Sequence, residues 1–306
     1  MHYGFVTTRK QRLRVLHLGT CKMNGFARTD ITVISVCYKS DAVIGEMVNS
    51  IPRETPIILV DNAGTNNFDS IDSRKKIDIV QLAENQGFGR GCNAGASKAE
   101  TPWLLFLNPD ARLADGALDV LLEAARKYPK ASAFNPRFTN NDGNPYFKRR
   151  SYLLPHNEYM KRGWPKHDCE VPVLSGAAIL ISKRIFDQVG RFDPNIFLYH
   201  EDDDISLRLR KHGSLMFVRD ALVFHKGGRS STRTADIAYF KAFHMAQSRV
   251  YAGRKHGRPL PRVSAVLHGL LQILITSAFF SKRRWAKSRG FLIGACSRKT
   301  KARRRL

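Results

Sequence analysis

Four consecutive acids, Glu201-Asp202-Asp203-Asp204, open a charged helical stretch, and a fifth carboxylate, Asp110, ends the apolar run Leu104-Leu105-Phe106-Leu107-Asn108-Pro109-Asp110. Acids in a first helical turn complement the helix dipole, and Asp204 with Arg208 is an i,i+4 pair, so a structural account exists. Four in a row nevertheless exceed what capping needs. Crowded carboxylates raise one another's pKa, which can bring one of them to the range of a general base. Asp110, delivered by a strand and held by Pro109, suits a divalent cation bridging a diphosphate; a turn-forming Asn-Pro-Asp is the bland alternative. His225 ends a further apolar run before Lys226-Gly227-Gly228-Arg229. Its imidazole can serve as a metal or phosphate ligand, and Lys226 and Arg229 can neutralise a diphosphate.

Two more segments have the composition of a nucleotide site. Ile57-Ile58-Leu59-Val60-Asp61-Asn62 is a strand closing on a carboxylate and an amide. In an open parallel sheet ligands sit beyond the carboxyl ends of strands, although an Asx turn explains the pair equally. Asn85-Gln86-Gly87-Phe88-Gly89-Arg90-Gly91-Cys92-Asn93-Ala94-Gly95 lets backbone approach a ligand, and a helix N-terminus there would favour an anion. A dinucleotide fingerprint is matched only loosely, from Gly89 to Ala94. It would follow a third strand rather than a first, which argues against a redox cofactor.

The elements that must position these residues alternate. Apolar runs at 31–36, 57–60, 77–82 and 103–107 predict strands, and 42–50, the glycine-rich segment and 114–127 predict helices, with a strand near 131–134. That rhythm implies an α/β fold with a parallel, doubly wound sheet. Residues 135–171 read as a long irregular connection, of the kind that is often functional. Beyond it come an apolar block at 173–181, helices at 182–189 and 201–212, and strands at 215–218 and 221–224.

The formal charge of +25 is unevenly spread: residues 253–306 carry fifteen Lys/Arg and no acid, whereas residues 31–252 carry thirty against twenty-five. A nucleic-acid-binding protein is the rival reading of this excess. Against it, the charge is concentrated in a tail and no aromatic-and-basic binding module is visible, so no nucleic-acid partner is expected. Five scattered cysteines without a Cys-x-x-Cys pair fit a reducing compartment. The N-terminus lacks the apolar stretch of a secretory signal, and a cytoplasmic location follows. In residues 263–280 an apolar stripe (Val263, Val266, Leu267, Leu270, Leu271, Leu274) is flanked by Arg258, Arg262 and Lys282-Arg283-Arg284. Its readings are a helix lying on the anionic inner face of a membrane, a helix packed on the main domain, or a span.

In this order and at these separations the motifs resemble the family 2 glycosyltransferases over roughly residues 31–230. Leu107-Asn108-Pro109-Asp110, Asn85-x-Gly87-Phe88 and Ser175-Gly176-Ala177 look like the rhamnosyltransferase-like branch. The resemblance implies a GT-A-like, mostly parallel sheet flanked by helices, with a C-terminal amphipathic helical extension. It divides the chain into a basic extension (1–30), a transferase domain (31–252, nucleotide-binding over 31–135 and acceptor or catalytic over 171–252) and a membrane-associating tail (253–306). It implies an inverting enzyme that moves a sugar, L-rhamnose at branch level, from a nucleoside-diphosphate sugar to a saccharide or lipid-linked acceptor in cell-surface polysaccharide synthesis, with Mg²⁺ or Mn²⁺. By the same resemblance Asp202 is the catalytic base, with Glu201 as its substitute. Asp61, Asn62, Asn85, Gly87, Phe88, Asn93, Asn108, Lys226 and Arg229 serve the donor, Ser175, Gly176 and Ala177 the acceptor, and Asp110 and His225 the metal. Asn108 stands where the more familiar Asp-x-Asp motif has its first aspartate.

Overall fold

The computed structural model describes residues 26–64, 66–69, 71, 76–140, 143, 145–225, 234–277 and 281–297. Lys226 and Arg229, both expected at the donor, lie outside them. The first half follows the alternation read from the sequence, with the short β5 in addition: β1 (Ile31–Cys37), α1 (Asp41–Asn49), β2 (Ile57–Asn62), β3 (Ile77–Leu82), α2 (Phe88–Lys98), β4 (Trp103–Leu107), β5 (Ala111–Leu113) and α3 (Ala117–Lys127). The long β6 (Ala131–Thr139) follows, then the short β7 (Pro145–Tyr146) and β8 (Cys169–Glu170), β9 (Ala178–Ser182), α4 (Lys183–Gln188), α5 (Glu201–Leu209) and β10 (Ser214–His225). The C-terminal helices are α6 (Ala235–Lys255), α7 (Pro261–Ser277) and α8 (Lys282–Cys296).

One sheet runs in the order β3-β2-β1-β4-β9-β6-β10-β5. The edge β3-β2-β1-β4 is parallel throughout, and helices α1 and α2 return the chain to the same end after β1 and β3. Beyond β4 the sheet is mixed: β9 runs antiparallel to β4 and β6, while β10 is parallel to β6. The two strands read at 215–218 and 221–224 are one, β10, broken in register between Val218 and Leu222. β1 and β2 are buried at every position, as expected of strands covered on both faces.

Helix α2 lies close on this edge. A Cβ at Gly95 would stand 2.5 Å from Ile34 Cγ2 and 3.1 Å from Val60 Cγ2, so part of the glycine-rich signal serves helix-to-sheet packing. Gly95→Ala should lower stability by about 1–3 kcal/mol through overpacking, read from urea unfolding. The control is Gly45→Ala in α1, where no atom lies within 4 Å of the added carbon; it should not destabilise.

The C-terminal helices were only partly legible. The boundary expected at 252/253 falls inside α6. Helix α8 packs on α6 at van der Waals distance, since Cβ atoms at Gly290 and Gly294 would meet the carbonyl oxygens of Tyr239 and Phe243 at 2.4 and 2.2 Å. Helix α7 turns Ala265 and Gly269 inward and leaves Val263, Leu267, Leu270, Leu271, Leu274 and Ile275 exposed, Leu274 at 70%. Of the apolar stripe only Val266, among the described residues, packs against α6 and α8, and the rest of it faces outward; Ala278 and Phe279, which continue the stripe in the sequence, lie outside the described residues. No helix among the described residues is long and apolar enough to cross a membrane. Arg262, expected to flank the stripe for headgroups, instead donates to the carbonyls of Ala295, Cys296 and Ser297 at the end of α8. Cys37, Cys92, Cys169 and Cys296 are free.

Candidate active site

The predicted residues gather at the carboxyl ends of β2, β4 and β10 and the N-terminus of α5. At β2, Asp61 is buried and accepts from Asn66 Nδ2 at 2.6 Å. Asn62 donates to Asn85 Oδ1 (3.0 Å) and to the Gly87 carbonyl (3.3 Å), and accepts from Gln86 N (2.9 Å). These bonds fix the loop before α2. Gly87 has φ +85°, and a Cβ there would lie 2.1 Å from the carbonyl oxygen of Phe197, so no other residue fits without moving backbone. That carbonyl accepts from Phe88 N (3.1 Å), which removes one of the amides that an anion at this helix start would use. Phe88 packs edge-on against Phe192 at 6.0 Å. The Asn93 amide brackets the Phe192 backbone, donating at 2.8 Å and accepting at 3.1 Å. The side-chain bonds of Asn62, Asn85 and Asn93 thus run largely to protein and fix the loop before α2 and its packing on Phe192.

At β4, Asp110 is buried and its Oδ1 faces His225 Nε2 across 3.2 Å. Asn108 Nδ2 lies 3.4 Å from the same nitrogen. On the far side of the ring, His225 Nδ1 is 2.6 Å from Tyr146 Oη, a hydroxyl able to donate or accept and so compatible with either imidazole tautomer. Burial pushes the Tyr146 pKa up, which keeps that proton in place. A divalent cation fits this donor set: one carboxylate, one imidazole nitrogen oriented by a second hydrogen bond, and remaining positions for phosphate oxygens and water. Among the described residues no group of three or more His, Cys, Asp and Glu side chains is arranged to hold a metal ion by itself.

The four acids separate into distinct roles. Asp204 is fully buried between Arg208 (2.7 Å), Lys255 (2.7 Å) and His256 (2.8 Å), which ties α5 to α6. Asp203 is buried against His200 (2.9 Å) and Lys148 (2.7 Å). Glu201 is buried too; desolvation first, then the charge of Asp202, lift its pKa well above the carboxylate range. Asp202 alone of the four keeps partial exposure, its side chain 19% accessible. Its Oδ2 accepts from Lys148 Nζ (2.6 Å) and from Gly176 N (3.0 Å).

Ser175-Gly176-Ala177 joins the two halves of the site. Gly176 N reaches Asp202, the Ala177 carbonyl accepts from Asn108 N (2.9 Å), and Asn135 on β6 holds the turn through Ser175 N (2.8 Å) and the Ser175 carbonyl (3.0 Å). Asn135, Tyr146 and Lys148 escaped the sequence reading, since they fall in or beside the polar connection after β6. Lys241 of α6 was missed as well. Burial lowers its pKa while the nearby Asp110 opposes the shift.

A parallel nucleotide-type edge, a carboxylate-imidazole pair at the end of β4 and a solvent-reaching aspartate beside them define a GT-A-type transferase. The chain belongs to glycosyl transferase family 2, whose family model matches residues 32–190; it is a glycosyltransferase. It is 28% identical over 265 residues to the N-acetylglucosaminyl-diphospho-decaprenol L-rhamnosyltransferase of Mycobacterium tuberculosis, covering 74% of this chain and 86% of that one. In fold it is similar to the mannosyltransferase PcManGT of Pyrobaculum calidifontis, solved with GDP-Man and Mn²⁺ (TM-score 0.53, 14% identity, 87% of this chain and 86% of that one). It is also similar to residues 1–349 of S. aureus TarS (TM-score 0.52, 14% identity, 85% and 90%).

Proposed function

We propose that the chain transfers a sugar, L-rhamnose, with inversion from a nucleoside-diphosphate donor to a lipid-linked saccharide at a membrane surface, in cell-envelope polysaccharide synthesis. The observation that carries this reading is the pairing of Asp202, the only one of the four acids open to solvent, with the Asp110-His225 pair across the Ser175–Ala177 turn. The sugar and the acceptor class rest on the similarity to the mycobacterial enzyme.

In this mechanism Asp61 and the wall built by Asn62, Asn85, Gly87 and Asn93 hold the nucleoside, and Asp110 and His225 hold the divalent metal. Bound Mg²⁺ or Mn²⁺ would neutralise the diphosphate. Asp202 takes the proton of the acceptor hydroxyl as its oxygen attacks the anomeric carbon. The bond to the diphosphate breaks with its electron pair going to the departing nucleoside diphosphate, and the configuration inverts. Gly176 N and Lys148 orient the Asp202 carboxylate. Buried Glu201 supports the helix start instead of substituting for the base.

The test is binding and hydrolysis of a panel of nucleotide sugars by the purified protein, with Mg²⁺, with Mn²⁺ and with chelator. One donor, dTDP-rhamnose, should bind in a metal-dependent way, and Asp110→Ala should weaken donor binding roughly tenfold or more and abolish the metal response. If no nucleotide sugar binds with either metal, the proposal fails.

A further inference from the structure

A cavity of about 550 Å³ is lined by Arg150, Tyr152, His156, Arg249, Arg258 and Ser264 among others; none of the residues proposed for the donor lines it, and neither does a described carboxylate. Arg249 stacks on the Tyr152 ring at 3.9 Å and Arg258 lies 5.5 Å from the same ring, so one aromatic ring gathers two guanidinium groups. The buried Nε atoms of Arg249 and Arg258 have no hydrogen-bond partner, and no ion pair of Arg150, Arg249 or Arg258 forms among the described residues. Two partly buried guanidinium groups with unpartnered Nε atoms, gathered beside the exposed Arg150 without an acid, point to an anion as the missing partner.

The surroundings narrow the anion. On one side Ser264 belongs to α7, whose exposed Val263, Leu267 and Leu271 continue the apolar face from Leu260. On the other side Tyr152 packs 6.3 Å from His200, which immediately precedes the acidic helix. Lys148, two residues before Arg150, holds Asp202. A molecule touching all three regions is apolar at one end, doubly charged in the middle and hydroxylated at the other end.

We infer that the Arg150-Arg249-Arg258 cavity is the diphosphate subsite for a lipid-linked saccharide acceptor, with the lipid chain leaving along α7 and the sugar reaching Asp202. This inference deepens the transferase reading given above and rests on it.

The test uses the full chain in flotation with three kinds of phosphatidylcholine vesicle: plain, carrying phosphatidylglycerol, or carrying a polyprenyl diphosphate at matched charge. The wild type should bind the diphosphate vesicles roughly tenfold or more tightly than the phosphatidylglycerol ones. Arg249→Gln with Arg258→Gln should remove that preference, and so should the exposed Arg150→Gln, which decides the matter if the double variant fails to fold. Inorganic pyrophosphate should compete. Equal binding to both anionic vesicles, or a preference that survives in Arg150→Gln and the double variant, overturns the subsite. Nucleotide-sugar binding is measured on the same proteins and should be unchanged. Its absence in the wild type would count against the transferase mechanism, independently of the vesicle result.

Discussion

Asp202→Asn should reduce sugar transfer by roughly 10²–10⁴-fold, the range that a general base contributes, while leaving donor affinity close to wild type. The substitution keeps an oxygen for Gly176 N and leaves Lys148 its second partner, Asp203, 2.7 Å away. The helix start should therefore survive, and the loss should fall on kcat. Single-turnover transfer together with calorimetric donor titration separates the two quantities. Normal turnover in the variant would remove Asp202 from the mechanism.

The second large effect concerns Asp204, which carries no chemistry. Its carboxylate has three partners, Arg208, Lys255 and the His256 imidazole, the last two at the C-terminal end of α6. Asp204→Asn leaves the Arg208 guanidinium without a carboxylate, whereas Lys255 keeps Asp193 at 2.6 Å, and should cost about 3 kcal/mol in chemical denaturation. Burial works against this charge, but the hydrogen bond from His256 and the charges of Arg208 and Lys255 prevail, bringing the pKa down from 3.8 to about 2. A depressed folded-state pKa means that the stabilisation is fully present above the ordinary 3.8 and is lost as pH falls toward about 2. The wild type should thus lose about 2 kcal/mol across that window, and the asparagine variant should lose correspondingly less. Equal acid sensitivity in the two proteins would show that Asp204 is not a source of this loss.

The parallel edge was legible because each of its strands is an apolar run bounded by turn residues, and because Asp61, Asn108 and Asp110 follow those runs directly. The choice of Asp202 as the proposed base was only partly legible. Glu201 and Asp202 are neighbours in sequence, and burial alone distinguishes them. Lys148 and Tyr146 reach the site from an extended, polar segment with no periodicity to mark it. Their roles come from long-range contacts, to Asp202 and to His225. The stripe on α7 was read correctly as a stripe, but which side of the helix packs depended on Ala265 and Gly269, whose small size admits α8. Helix α6 gave little periodic signal because it is contacted on several sides, by Phe197, Leu198, Asp193 and α8.

That same helix works as a strut. Its C-terminal end is fastened to Asp204 behind the base, and its flank is fastened backbone to backbone onto α8, beside the apolar face of α7. With α7 seated on a bilayer as proposed, the height of Asp202 above the lipid is set by protein and does not vary with the substrate. Such an enzyme is a ruler. It would serve hydroxyls one short saccharide away from the surface, and its own product, one sugar longer, would carry its new end beyond the reach of the proposed base. Addition would then stop after a single sugar without any dedicated termination signal.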